Sequence, residues 1–240
     1  MDWDNIPPLG IDETRGPPAD GTKYIPAARW RVFTRIYDPV LAITLRERRW
    51  RELMVDRVDA DLPEAGVSVD LGCGTGTFAI ALAASRPDAE LIGVDGDAEI
   101  LDRARRKPGA AGVEWRQGLA QELPVADGSA DVLTTSLVLH HLLPEDKGAA
   151  LAEAARVLKP GGHLHVADWG KPQDPLIGAA FFVSQAIDGF DRTRDHRAGR
   201  LPEFFAGAGF SSVERYGRLR TAFGALDLWR ARNATGDGSA

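Results

Sequence analysis

The chain has 240 residues, 44% of them hydrophobic, which suffices for the buried core of one α/β domain with attachments. Its formal net charge of −6 gives no overall electrostatic reason to bind nucleic acid or an anionic membrane, although a local basic patch could still do so. The single cysteine, Cys73, excludes an internal disulfide and a cysteine-based metal cluster.

The N-terminus lacks a basic segment followed by an apolar one, and no apolar run approaches the ~18 residues of a membrane span, so a cytoplasmic protein is expected. Residues 1–23 are rich in proline, glycine and acids and read as an irregular arm. Over 24–62, Trp30, Phe33, Tyr37, Leu41, Leu45, Leu53 and Val58 recur at helical intervals with a break at Asp38-Pro39, which predicts two helices forming an N-terminal lid.

After Pro63 short apolar runs alternate with helix-length segments, the pattern of a parallel sheet covered by helices. Strands are predicted near Val67–Leu71, Glu90–Asp95, Val113–Gln117, Asp131–Leu137 and His163–Asp168, and helices over Thr77–Ser85, Ala98–Arg106 and Lys147–Leu158. Lys159-Pro160-Gly161-Gly162 should stop the last helix. Residues 171–200 suggest an inserted helix before the final sheet elements; a helix at Leu201–Ala208 and strands near Ser212–Arg220 and Leu226–Arg232 follow, with a turn at Phe223-Gly224. The fold class expected is a doubly wound, Rossmann-like, mostly parallel seven-stranded sheet spanning 63–232, with a tail at 233–240.

Gly72, Gly74 and Gly76 follow a strand and open a helix, so the backbone can turn tightly and a ligand can approach it closely. A dinucleotide fingerprint would place its third glycine at position 77, where this chain has Thr77. Asp70, at the strand tip, would repel a pyrophosphate but can support a ligand carrying an ammonium and a sulfonium. Asp95 ends the next strand 19 residues beyond Gly76, where a carboxylate can accept both hydrogen bonds of a ribose diol.

Val69-Asp70-Leu71-Gly72-Cys73-Gly74-Thr75-Gly76 resembles the first motif of the class I S-adenosylmethionine-dependent methyltransferases. The resemblance continues through Gly93-Val94-Asp95, Leu123–Asp131, Leu139-His140-His141-Leu142 and Arg156–Gly162, and is closest to the subgroup of ubiquinone, menaquinone and natural-product methyltransferases. It implies S-adenosylmethionine as cofactor and S-adenosylhomocysteine as product. By position it implies that Asp70, Gly72, Cys73 and Gly74 line the methionine portion, that Asp95 holds the ribose and that Gly96 and Ile100 border the adenine. Ser136 and Leu137 would sit beside the sulfonium, and Tyr37 resembles a tyrosine that approaches the cofactor. Gly118-Leu119-Ala120 departs from the family's Gly-Asp-Ala, so Gly118 and Leu119 would hold adenine through backbone amides and apolar contact.

Methyl transfer is an in-line displacement that needs alignment, desolvation and, for a hydroxyl or acidic carbon, a base; no metal is required or expected. His140 and His141 lie just beyond the fourth strand, and Asp168, at the tip of the fifth, could orient such a histidine or bind substrate. Local packing is the competing reading for the histidines, and a cap or turn role for Asp168. Phe181, Phe182 and Phe190 either line the acceptor pocket or pack their helix down.

A small-molecule methyl acceptor is the partner expected, without nucleic acid or stable membrane insertion, and a homodimer is one option for the assembly. Three alternatives stand beside methyl transfer to a small molecule. They are a nicotinamide-dependent oxidoreductase, a repurposed cofactor-binding protein, and a lipid-directed enzyme working at a membrane surface.

Overall fold

The computed structural model describes residues 46–234. The arm at 1–23, the first N-terminal helix with its Tyr37-Asp38 pair, and most of the C-terminal tail lie outside the described residues. Helix α1 (Glu47–Asp61) leads into β1 (Val67–Leu71), α2 (Thr77–Ser85), β2 (Glu90–Asp95), α3 (Ala98–Arg105), β3 (Glu114–Gln117) and β4 (Ala130–Ser136). A 3-10 turn at Leu139–His141 precedes α4 (Pro144–Val157), β5 (Leu158–Gly170), α5 (Pro175–Asp188), α6 (Phe190–Ala198), α7 (Leu201–Gly207), β6 (Phe210–Thr221) and β7 (Gly224–Asn233).

The seven strands form one sheet in the order β3-β2-β1-β4-β5-β7-β6. β1 to β5 run parallel, and β7 pairs antiparallel with both β5 and β6. From β1 the chain winds outward through β2 and β3, then returns to the other side of β1 as β4. That reversal puts a topological switch point at the carboxyl ends of β1 and β4, the place where open α/β sheets bind their ligands.

The central strands are buried on both faces, hence their near-continuous apolar runs. One face packs Val69, Leu71, Leu133 and Val166 against Leu151 and Ala154 of α4 and Phe205 of α7. The other joins Val132, Ala167 and Leu228 to Trp50, Met54 and Val58 of α1, Phe78 and Leu82 of α2, and Phe181 of α5. Each such large side chain contributes about 1.5–3 kcal/mol by leaving water.

The C-terminal end of α1 is fastened electrostatically. Arg230 donates through Nε and Nη2 to Asp61 at 2.6 Å each, and His165 Nε2 lies 2.9 Å from the same carboxylate. Burial opposes ionisation of Asp61, but these partners hold its carboxyl well below the usual range.

Three larger differences from the sequence reading have identifiable causes. Helix α4 starts at Pro144 rather than Lys147, because proline at the first helical position and the acids Glu145 and Asp146 suit a helix N-terminus. Lys159–Gly162 does not form a separate loop: β5 already begins at Leu158, which pairs with Ala130, and a register shift absorbs the glycines. The 171–200 insertion holds two helices, α5 and α6, separated by Gly189 at φ 100°. No helix among the described residues is long and apolar enough to cross a membrane.

Candidate active site

The glycine turn leaves β1 with Gly72, Gly74 and Gly76 at φ 67°, 55° and 71°. A Cβ on Gly72 would lie 2.3 Å from Cγ2 of Val138, and one on Gly76 would lie 2.2 Å from Cη2 of Trp115. Packing therefore demands glycine at both positions. A Cβ on Gly74 would meet nothing within 4 Å, so this glycine borders open space where a ligand can approach the backbone. Cys73 is buried between them; burial, with Asp70 and Asp95 nearby, pushes its thiol far above the usual range, which suits a packing residue rather than a nucleophile.

Two carboxylates flank the turn. Asp95, at the tip of β2, accepts from the backbone N–H of Gly74 at 2.9 Å through Oδ2 and from that of Asp97 at 2.9 Å through Oδ1. Asp70 is buried; its Oδ1 accepts from Thr134 Oγ1 at 2.9 Å, while Oδ2 has no hydrogen-bond partner among the described residues. Burial, reinforced by Asp95 and opposed by Thr134, raises the Asp70 carboxyl to about 7. An orphaned buried acid beside a turn with room above it matches a cationic ligand.

The remaining predicted cofactor residues among the described ones lie at or just beyond the same strand ends. Gly96 follows β2 and its carbonyl accepts from Gln117 Nε2 at 3.2 Å, and Ile100 is half-buried in the first turn of α3, capped by Asp97. Gly118 N–H donates to the Asp95 carbonyl at 3.1 Å, and Leu119 is 38% exposed. Ser136 ends β4; Leu137, at φ 57°, donates from its N–H to the Ala167 carbonyl at 2.8 Å.

Val138, against Gly72, leads directly into the histidine turn. His140 is buried, with Nδ1 2.7 Å from Asp168 Oδ1. Asp168 also accepts from the backbone N–H groups of Leu139 at 2.8 Å and Trp169 at 2.7 Å. Burial works against ionisation of both side chains; their mutual attraction prevails, raising His140 and holding Asp168 well below the carboxylate range. His141 is half-exposed, and the charge of His140, then burial, depresses it to about 3. Its ring centroid lies 4.0 Å from that of His140.

Sequence reasoning missed three residues here. Thr134 supports Asp70 from β4. His196 of α6 is fully buried with Nε2 3.6 Å from Asp168 Oδ1, and burial depresses it to about 4. Asp188, the last residue of α5, faces His140 Nε2 at 3.8 Å and His141 Nδ1 at 3.7 Å. Of the three aromatics, Phe181 packs onto Trp169 with ring centroids 6.1 Å apart, whereas Phe182 and Phe190 are exposed and touch each other.

An open parallel sheet with a glycine turn at its switch point and an acid on each neighbouring strand tip is a Rossmann-like nucleoside-cofactor domain. A methyltransferase-domain family model matches residues 69–166. The ubiquinone/menaquinone biosynthesis C-methyltransferase UbiE of Desulfotalea psychrophila is 30% identical over 70% of this chain and 74% of its own length. The demethylmenaquinone methyltransferase of Deinococcus radiodurans is 32% identical over 96% of this chain and 94% of its own. Among solved structures, a SAM-dependent methyltransferase from Methanosarcina mazei shares the fold at 19% identity and TM-score 0.60, covering 73% of this chain and 96% of that one. Geranyl diphosphate methyltransferase, in complex with GPP and sinefungin, does so at 16% and 0.63, covering 78% of each chain. The chain belongs to the class I S-adenosylmethionine-dependent methyltransferases of the ubiquinone/menaquinone C-methyltransferase type. Its cofactor is S-adenosylmethionine, and an oxidoreductase reading finds no support in these relatives.

Proposed function

We propose that this methyltransferase modifies a small molecule bearing an acidic O–H or C–H group, and that the buried His140–Asp168 pair accepts the proton released. The carrying observation is the 2.7 Å contact of His140 Nδ1 with Asp168, one turn beyond the strand tip that touches the glycine turn through Val138. The names of the quinone-methylating relatives support a low-molecular-weight acceptor of this kind. A cytosolic setting agrees with the lone buried Cys73.

Asp70, Gly72, Cys73 and Gly74 would receive the methionine portion of the cofactor, Asp95 the ribose, and Gly96, Ile100, Gly118 and Leu119 the adenine, with Ser136 and Leu137 beside the sulfonium. When bound, the cofactor supplies a methyl carbon already activated for displacement. His140, donating Nδ1–H to Asp168, keeps the Nε2 lone pair free to take the acceptor's proton as the new bond to carbon forms. Asp168 holds that tautomer and compensates the imidazolium charge. Burial of the pair excludes water that would compete for the proton.

Calorimetry with S-adenosylhomocysteine tests the cofactor half. Asp95→Ala should weaken binding at least about tenfold, the scale of losing charge-assisted hydrogen bonds of about 1.5–3 kcal/mol. Unchanged affinity in this variant would refute the assignment of the ribose to β2.

Asp70 gives a second, pH-dependent test. Its raised carboxyl means that the fold binds more protons than the unfolded chain between the ordinary value of 3.8 and about 7, so its contribution makes stability fall as pH rises through that window. Asp70→Asn should raise the Tm of ligand-free protein at pH 8. A cationic cofactor favours the ionised form, so wild-type binding at pH 7 should release a proton, seen as a buffer-dependent binding enthalpy that Asp70→Asn abolishes. A buffer-independent wild-type enthalpy would contradict this role.

A further inference from the structure

We infer that His140, His141 and Asp188 form a binding site for one divalent transition-metal ion at the carboxyl end of β4. One donor atom from each residue falls within a 4.8 Å envelope, and the set combines two imidazoles with a carboxylate. His140 Nε2 and His141 Nδ1 stand 3.8 and 3.7 Å from opposite oxygens of Asp188, too far for hydrogen bonds between them. Donor atoms around a zinc-like ion with bonds of about 2.1 Å lie roughly 3.0–3.4 Å apart. The widest pair of donor atoms, up to 4.8 Å apart, would therefore have to close by up to about 1.4–1.8 Å around an ion. The hinge for that movement is adjacent: Asp188 is the last residue of α5, followed by Gly189 at φ 100°.

Two further features distinguish this cluster from a chance meeting of polar side chains. A metal-binding histidine usually donates its second ring N–H to a carboxylate, which fixes the tautomer and makes the ligating nitrogen more basic. His140 has that arrangement, with Asp168 on Nδ1 and Nε2 turned toward Asp188. His140 is also buried with Nε2 toward a carboxylate, so a cation held between them is stabilised by both. Imidazole and carboxylate donors without a thiolate suit zinc, iron(II), cobalt(II) or manganese(II) rather than copper(I). Three protein ligands leave coordination positions open to water or an acceptor oxygen.

The site has a functional corollary that rests on the proposed proton acceptor. The ion and the acceptor's proton compete for the same nitrogen, His140 Nε2, so an occupied site blocks that route of proton removal.

The test uses purified, chelator-treated full-length protein titrated with Co²⁺, followed by visible absorption, and with Zn²⁺, followed by calorimetry. One ion per chain should bind, and His141→Ala and Asp188→Ala should each weaken it at least about tenfold. Asp168→Asn should weaken it about 10–100-fold, as expected for loss of the carboxylate behind a ligating histidine. S-adenosylhomocysteine affinity retained by His141→Ala and Asp188→Ala shows that these variants remain folded. No binding at millimolar metal, or wild-type affinity in both of these variants, would overturn the site. Saturating zinc should suppress methyl transfer and a chelator restore it. Full activity with zinc demonstrably bound would leave the metal site standing and overturn instead the role of His140 as proton acceptor.

Discussion

Replacing His140 with alanine should lower kcat for methyl transfer by about 10²–10⁴-fold, the usual contribution of a positioned general base. S-adenosylhomocysteine affinity should stay within about twofold. The substitution removes the side chain facing Asp168 but leaves the turn's main supports, since the N–H groups of Leu139 and Trp169 still donate to that carboxylate. A loss confined to kcat, measured against calorimetric affinity for the product, separates a lost proton acceptor from a disordered turn. Wild-type turnover in His140→Ala would rule out the base. An equal loss of cofactor affinity would assign the residue to packing.

Gly72→Ala should be nearly as severe, through the fold. The residue sits at φ 67°, a conformation that costs a non-glycine residue about 1–2 kcal/mol. The new methyl would lie 2.3 Å from Cγ2 of Val138, an overlap typical of overpacking changes that cost about 1–3 kcal/mol. Urea unfolding should therefore show a loss of about 2–5 kcal/mol. Because Val138 precedes the histidine turn, both cofactor affinity and kcat should fall more than tenfold. Val138→Ala in the Gly72→Ala background should recover part of the stability, since it removes the atoms in conflict. Gly74→Ala is the contrasting case: its methyl enters open space, so it should carry the backbone cost alone while still obstructing the ligand. Equal stability losses in the two single variants would disprove the Val138 contact as the cause.

Much of the sheet was legible because its strands are short, buried and bounded by strong signals. β1, β2 and α2 begin and end where the apolar runs and the glycine turn put them. Less visible were features decided by partners remote in sequence. The start of β5 at Leu158 depends on pairing with Ala130, which outweighs the apparent stop at Pro160 and the two glycines after it. The insertion breaks at a single glycine that periodicity alone does not distinguish from a tolerated interior residue.

The candidate site divides along the same line. The glycine turn, Asp70 and Asp95 sit within one βαβ unit and could be read from spacing. That Asp168 might orient a histidine was readable from two strand tips, and the folded chain brings His140 to it. Asp188 and His196 lie on an insertion with no motif, and only the packing of α5 and α6 over β5 carries them there. Leu119, read as holding adenine through backbone amide and apolar contact, is 38% exposed.

Asp168 joins three separate pieces of chain: the end of β5, the turn after β4 through two backbone N–H groups and His140, and α6 through His196. The insertion is thus pinned at its inner edge, while Leu176, Phe182, Val183 and Ile187 on α5 face outward. For protein engineering this separates two sets of positions. A combinatorial library confined to the outward set would diversify the outer face of α5 while leaving the carboxylate's partners, and hence the geometry proposed for proton transfer, intact.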